Sequence, residues 1–161
     1  MKVRDIMTEP VLTCTSQTSL AVAARLMREA DYGTLPVVDA AGRLVGIITD
    51  RDVCLALADT GRKALNIAVR EAMTSEVFSA LLDDDVRGAL AMMKRHRVRR
   101  LPVRDPFGRL KGMLSIEDLV LRGLENGGIG TGEIVDALRA MYVRVPVAVD
   151  STPGPSDFTP G

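Results

Sequence analysis

Apolar residues recur at helical spacing in two stretches of the chain. The first stretch is Leu20, Ala23, Ala24 and Met27, and the second is Val86, Ala89, Leu90 and Met93. Steps of three and four residues place apolar side chains on one face of an α-helix, so each stretch predicts an amphipathic helix. No uninterrupted apolar run approaches the roughly 18 residues that a membrane span needs.

Segments rich in strand-forming residues surround both helices. Val11–Thr13 predicts a short strand ahead of the first helix. After each helix, the sequences LPVVD-AAG-RLVGIIT and LPVRD-PFG-RLKGMLS predict a β-hairpin around a glycine-containing turn. Further helices are predicted at 50–57 and 116–124. The element order is therefore β-α-β-β-α, twice, and the predicted fold class is a mixed α/β (α+β) fold.

The two units are copies of one another. When the chain is shifted by 66 residues, "RDIMT" aligns with "REAMT" and "TDRDV" with "SIEDL" without gaps. Over residues 4–57, 16 aligned residues are identical, whereas unrelated segments would match at about 3 or 4. We predict repeat 1 at 1–60, a linker at 61–69 and repeat 2 at 70–124. A unit of about 55 residues is marginal alone, so the repeats should pack together about a pseudo-two-fold axis.

The rest of the chain predicts one further element. In "EIVDALRAMY", apolar residues at helical spacing predict a short helix within a segment of loop and helix at 125–145. From 146 to 161 the chain is rich in Pro, Gly and Ser, which predicts a disordered tail.

Composition narrows the function classes. Lys+Arg and Asp+Glu both number 21 and aromatic residues make up 3%, so binding to nucleic acid or to an anionic membrane is not expected. Cys14, Cys54 and the single His96 show no metal-ligand spacing, and no signal peptide precedes them, which favours a cytoplasmic protein without a metal. The sequence shows no paired catalytic carboxylates, no Ser-His-Asp set and no activated cysteine. We therefore expect a protein that is not an enzyme.

The motifs "DIMT", "LPVVD…GRLVGIIT..D" and "LPVRD…GRLKGMLS..D" resemble the tandem cystathionine β-synthase (CBS) domain pair, or Bateman module, of the stand-alone prokaryotic type. The resemblance covers residues 3–124. It implies a regulatory homodimer that binds an adenosyl nucleotide in clefts between its repeats, with AMP, ADP, ATP or S-adenosylmethionine as the ligand. It implies no catalytic cofactor, and the regulated partner is an unidentified protein.

Two short motifs are candidates for ligand binding. Thr49-x-x-Asp52 and Ser115-x-x-Asp118 each stand where a strand is predicted to lead into a helix. Each motif is typical of a helix N-terminal capping box. The resemblance favours a further role, in which the carboxylate accepts both ribose hydroxyls and the hydroxyl and helix amides face a phosphate.

An arginine pair is the candidate for the phosphate contacts. Arg99 and Arg100 directly precede Leu-Pro in repeat 2, where the resemblance implies basic residues that reach the phosphates, and the planar guanidinium suits that task. For Arg95 and Arg97, a solvated basic rim is the favoured interpretation.

The resemblance also implies an asymmetry between two clefts. It couples Asp52 with the arginine pair in one cleft. Gly33 and Thr34 occupy the positions equivalent to the arginine pair in repeat 1, and they are expected to face Asp118 in a second cleft. That cleft would suit a less anionic ligand or none.

Apolar residues close to the motifs have two interpretations. Val11, Ile47, Val77 and Met113 could form a wall for the adenine ring, although ordinary core packing is favoured over that role. A dimer is expected because the predicted helices present apolar residues at Leu20, Ala24, Val86 and Leu90. The alternatives to a sensor are a dimeric CBS scaffold that has lost its ligand and, less favoured, a nucleic-acid-binding protein.

Overall fold

The computed structural model describes residues 1–125 and 127–143 and has a mixed α+β fold. Its strands are β1 Thr34–Val38, β2 Leu44–Thr49, β3 Ala80–Leu81, β4 Arg100–Arg104 and β5 Leu110–Ser115. Its helices are α1 Leu20–Ala30, α2 Asp50–Thr60, α3 Val86–His96, α4 Ile116–Asp118 and α5 Thr131–Tyr142. The predicted fold class and the predicted C-terminal helix are confirmed. The tail predicted at 146–161 lies outside the described residues.

Each repeat is built on an antiparallel hairpin with the same register. Strand β1 pairs with β2, and β4 pairs with β5, with an irregularity at the equivalent point of each hairpin. The two turns also pair with each other, because Leu44 N donates to the Gly108 carbonyl and Leu110 N to the Gly42 carbonyl, both at 3.0 Å. This reciprocal pairing joins the two repeats and has the symmetry expected of a pseudo-two-fold axis.

Each repeat has its own apolar core. Repeat 1 buries Leu20, Ala23 and Met27 of α1 against its hairpin, as the helical spacing predicts, whereas Ala24 is exposed. The corresponding face of α3 is also buried, and there the core extends to α5. The apolar faces of the equivalent helices α1 and α3 thus each pack into the core of their own repeat.

The strand predicted at Val11–Thr13 is wrong in position and length. Only Cys14 pairs with the sheet of repeat 1: its amide donates to Pro36 and its carbonyl accepts from Val38. Val11 and Thr13 are half-buried, and Leu12 is 39% exposed. Pairing begins at Cys14 because this residue, 5% exposed, is the first of the segment to enter the core.

The second helix differs between the repeats. In repeat 1, α2 extends to Thr60 and ends at Gly61, whose φ of +60° suits a residue without a side chain. In repeat 2, α4 continues directly into a π-helical turn at Leu119–Gly123. The predicted helix at 116–124 is therefore present, but its hydrogen-bonding pattern changes after its first turn.

The apolar helix residues from which a dimer was predicted are mostly buried within the chain itself. Leu20 and Val86 are fully buried and Leu90 is 5% exposed, so only Ala24 of that set lies on the surface. Val86 and Leu90 are buried because α3 packs against the sheet of repeat 2 and against α5, and Leu20 is buried in the core of repeat 1. Within the described ranges, no helix is long and apolar enough to cross a membrane.

Candidate functional site

A cleft of about 570 Å³ opens between the two repeats. One wall comes from the end of β2 and the start of α2, which carry Thr49 and Asp52. Another part of the wall comes from the segment that leads from α3 into the start of β4, which carries Arg99 and Arg100. Its volume lies within the range of pockets that bind small molecules.

The capping box at the start of α2 fixes the carboxylate of Asp52. Its Oδ2 accepts hydrogen bonds from the Thr49 amide at 2.8 Å and the Thr49 hydroxyl at 2.7 Å, and the Asp52 amide donates back to that hydroxyl at 3.2 Å. Among the described residues, no hydrogen bond or ion pair engages Asp52 Oδ1. Because Asp52 is half-buried, one rigidly held carboxylate oxygen is available to the cleft.

The arginine pair is held by neighbouring side chains. Arg100 Nη2 lies 3.3 Å from Glu117 Oε1, and its guanidinium lies 5.8 Å from the centre of the Tyr32 ring, as in a cation–π contact. Arg99 Nη1 donates to the Tyr142 hydroxyl at 3.2 Å. Both guanidinium groups therefore stand in defined positions at the cleft wall.

Four further charged residues, not predicted from the sequence as ligand contacts, line the cleft. Arg51 stands inside the Thr49-x-x-Asp52 motif, and Arg97, expected only as a solvated rim, lines the cleft although it is exposed. In the described part of the chain, no ion-pair partner of either residue is present. Asp50 and Glu76 add negative charge. The position of Arg51, directly before Asp52, was a usable signal in the sequence.

Apolar residues also line the cleft. Ile47 and Val77 line it, and Phe78, 39% exposed, stacks on His96 with ring centroids 3.6 Å apart. The other two candidates for an adenine wall lie elsewhere. Val11 lines a separate hollow of about 260 Å³, and Met113 is 4% exposed with its backbone paired to Thr8.

Ser115 and Asp118 repeat the capping box but do not line this cleft. Asp118 Oδ2 accepts from the Ser115 amide at 2.8 Å and hydroxyl at 2.6 Å. Its Oδ1 accepts from the Thr8 hydroxyl at 3.0 Å and lies 3.7 Å from Arg122 Nη1. Asp118 is 8% exposed. Both carboxylate oxygens are thus engaged within the chain.

Gly33 and Thr34, which were expected opposite Asp118, are found beside Asp52. Both residues line the cleft of Asp52, because β1 pairs with β2 and sets Thr34 beside Thr49. A Cβ atom built on Gly33 would come within 2.3 Å of Asp50 Oδ2.

No cluster of three or more His, Cys, Asp or Glu side chains suited to a metal is present in the described ranges. Two cysteines are free, of which Cys14 is buried and Cys54 is exposed. Burial raises the pKa of the Cys14 thiol to about 11. The cleft itself therefore offers a carboxylate, arginines, amides and apolar surface as its binding groups.

The family of the chain follows from its sequence together with this architecture. Residues 3–59 and 69–125 each match the CBS domain family, so the chain belongs to it as a tandem pair. The CBS domain-containing protein YhcV of Bacillus subtilis is 33% identical over 129 residues, covering 80% of this chain and 90% of that protein. Four fifths of this chain thus match nine tenths of that protein.

Solved CBS pairs share the fold. A CBS domain pair in complex with 5′-methylthioadenosine and S-adenosyl-L-methionine superposes with a TM-score of 0.68 at 32% identity, covering 80% of this chain and 98% of that one. CBSX2 in complex with AMP, a protein of Arabidopsis thaliana, gives 0.69 at 27% identity, covering 78% and 98%. Both relatives hold adenosyl ligands.

Enzymes also match, but only in part. A homoserine O-acetyltransferase from Methanococcoides burtonii is 39% identical over 117 residues, which are 73% of this chain and 23% of that enzyme. The chain therefore corresponds to less than a quarter of that enzyme's length.

Proposed function

We propose that the protein is a regulatory sensor of an adenosyl nucleotide and has no catalytic activity of its own. The observation that carries this proposal is the cleft between the repeats, which is lined by a fixed carboxylate at Asp52, by Arg99 and Arg100 and by apolar side chains. An adenosyl nucleotide carries groups complementary to these three: ribose hydroxyls, an aromatic ring and an anionic tail.

Each part of the cleft matches one part of such a ligand. Asp52 Oδ1 accepts hydrogen bonds from the ribose hydroxyls, because charge-assisted hydrogen bonds to a carboxylate are strong. Ile47 and Val77 contact the adenine ring. Arg99 and Arg100 contact the phosphates, and the helix N-terminus of α2 adds favourable amide dipoles.

The ligand class is AMP, ADP, ATP or S-adenosylmethionine, as in the structural relatives that hold AMP or S-adenosyl-L-methionine. AMP has about 23 heavy atoms, and at roughly 0.3 kcal/mol per atom the expected Kd is about 10 μM. This is a concentration range in which a metabolite sensor responds. The cluster of guanidinium groups favours ligands that carry phosphate.

The regulated target is a separate, unidentified protein, and the chain acts as a cytoplasmic homodimer. An exposed free thiol at Cys54 supports a reducing compartment. Exposed apolar side chains at Leu55 and Leu121, which are equivalent residues of the two repeats, support a surface that a second copy covers. Light scattering should give twice the 17.3 kDa mass of the chain, and a monomer at micromolar concentration would contradict the dimer.

Mass spectrometry of small molecules released from the purified protein tests the proposed function directly. An adenosyl nucleotide in stoichiometric amount is the expected result, and calorimetry with AMP should then show one binding site per chain. If AMP, ATP and S-adenosylmethionine all leave the melting temperature unchanged, the sensor is excluded. The ligand-free scaffold is then the better function, and the contacts of Asp118 with Thr8 and Arg122 support it for repeat 2.

A further inference from the structure

The C-terminal helix α5 lies outside the two CBS repeats, yet its last residue reaches the cleft. The family match ends at residue 125, whereas α5 spans Thr131–Tyr142. The Tyr142 hydroxyl accepts a hydrogen bond from Nη1 of Arg99 at 3.2 Å, and Arg99 lines the cleft. A residue outside the repeats thus contacts a side chain of the candidate site.

Helix α5 is anchored to repeat 2 independently of this contact. Ile134 and Ala137, which are 3% and 1% exposed, lie in the core shared with α3. Asp136 pairs with Lys94 of α3, and this hydrogen bond holds the pKa of the Asp136 carboxyl below its usual range. Tyr142 is therefore carried by a helix that is fixed to α3, the element that leads into Arg99.

Arg99 is held at both ends. Its backbone carbonyl accepts from the Ile116 amide at 2.9 Å, at the start of α4, while Tyr142 holds the guanidinium. A phenol is neutral, so it positions the guanidinium without compensating its charge. The Glu117 carboxylate beside Arg100, in contrast, offsets part of that residue's charge. A guanidinium has five N–H donors, and among the described residues only one donor of Arg99 is engaged, which leaves four for an anion.

We infer that Tyr142 is a positioning residue for the anionic tail of the ligand, and that α5 is thereby part of the nucleotide site. The inference rests on the proposed function. A free arginine side chain loses rotamer freedom when it binds a phosphate, and this loss weakens binding. Tyr142 restricts Arg99 before the ligand arrives, so part of the loss occurs on folding instead.

Calorimetry of the full chain with adenosine and with AMP tests the inference. Tyr142→Phe removes only the hydroxyl and should weaken AMP binding about two- to tenfold. Adenosine binding should stay unchanged, because adenosine has no phosphate for Arg99 to hold. Val135→Ala is the matched control, since this residue lies on the same helix and is 49% exposed; it should bind both ligands as the wild type does.

A double-mutant cycle separates positioning from a structural role. If Tyr142 acts through Arg99, Tyr142→Phe should have no further effect on AMP binding once Arg99→Ala is present. An unchanged ratio of AMP to adenosine affinity in Tyr142→Phe, or equal losses for both ligands, would overturn the inference. If the wild type binds neither ligand, the proposed function fails as well, whereas AMP binding that is indifferent to Tyr142 refutes the positioning role alone.

Discussion

The two copies of the capping box have the same internal geometry but opposite availability. In both, an aspartate Oδ2 accepts from the amide of the first motif residue at 2.8 Å. The other carboxylate oxygen differs: Asp118 Oδ1 accepts from the Thr8 hydroxyl, whereas Oδ1 of Asp52, a residue that lines the cleft, has no partner among the described residues. The motif thus sets the local structure, and its surroundings set whether a ligand can use it.

The difference arises at positions outside the motif. Arg122, four residues after Asp118, lies 3.7 Å from it and donates to the carbonyls of Ile6 and Met7. The equivalent residue in repeat 1 is Ala56, which has no charge to offer. The residue at this helix position is therefore one difference between the engaged Asp118 and Asp52, and the contact from Thr8 is another.

The largest expected effect comes from removing the open carboxylate. Asp52→Ala should weaken the binding of adenosine and AMP alike by about ten- to a hundredfold, because charge-assisted hydrogen bonds of about 1.5–3 kcal/mol are lost. Calorimetry measures both affinities. Asp118→Ala is the matched control and should leave both affinities unchanged. If Asp118→Ala abolishes AMP binding while Asp52→Ala binds normally, the open and closed sites have been assigned the wrong way round.

The arginine pair should discriminate between ligands rather than weaken all of them. Replacing Arg99 and Arg100 with alanine should reduce the affinity for AMP and ATP about tenfold or more, since the guanidinium groups attract only the charged tail. Adenosine should bind nearly as before in the same calorimetric assay. Arg95→Ala, which changes a basic residue of the same segment that does not line the cleft, serves as the control. Equal losses for adenosine and AMP would contradict the assignment of this pair to the phosphates.

The sequence alone predicts much of the fold because duplication shows each element twice. The two helical faces, both hairpins and both capping boxes follow from spacing and turn chemistry, and the structure contains them. The closure of Asp118 could not be predicted in the same way. It depends on Thr8 and Arg122, which are distant from each other along the chain and become neighbours only when the N-terminal segment packs against α4.

Two sequence-based predictions are wrong for the same physical reason, which is that they depend on contacts between segments distant along the chain. Val11–Thr13 has strand-forming residues, but the chain meets the sheet only at Cys14. Val86 and Leu90 belong to an apolar helix face whose cover was not predictable, because α5 supplies part of it from beyond the repeat. Local pattern predicts an element, whereas the neighbour that covers it is fixed by tertiary packing.

Asp118→Ala should reduce the free energy of unfolding more than Asp52→Ala does, which is the opposite of the order expected for ligand affinity. Both alanine variants lose a capping interaction worth about 0.5–2 kcal/mol. Asp118→Ala also removes the buried acceptor of the Thr8 hydroxyl, which adds about 1 kcal/mol. Urea denaturation should therefore show a lower free energy of unfolding for Asp118→Ala than for Asp52→Ala. An equal or reversed order would show that the contacts of Asp118 contribute nothing beyond the cap.

The smallest expected effect comes from giving repeat 1 the arginine of repeat 2. Ala56→Arg places a guanidinium one helical turn after Asp52, as Arg122 stands after Asp118. Ion pairs four residues apart on a helix contribute about 0.2–1 kcal/mol, so the affinity for AMP should fall about two- to fivefold as the ligand competes with the new side chain. Ala56→Gln, with a long uncharged side chain, controls for bulk and should bind AMP more tightly than Ala56→Arg in parallel titrations. High salt should narrow the gap between the two variants, because an exposed ion pair is screened. Equal AMP affinities for the two variants at low salt would mean that Arg122 is not what separates the closed aspartate from the open one.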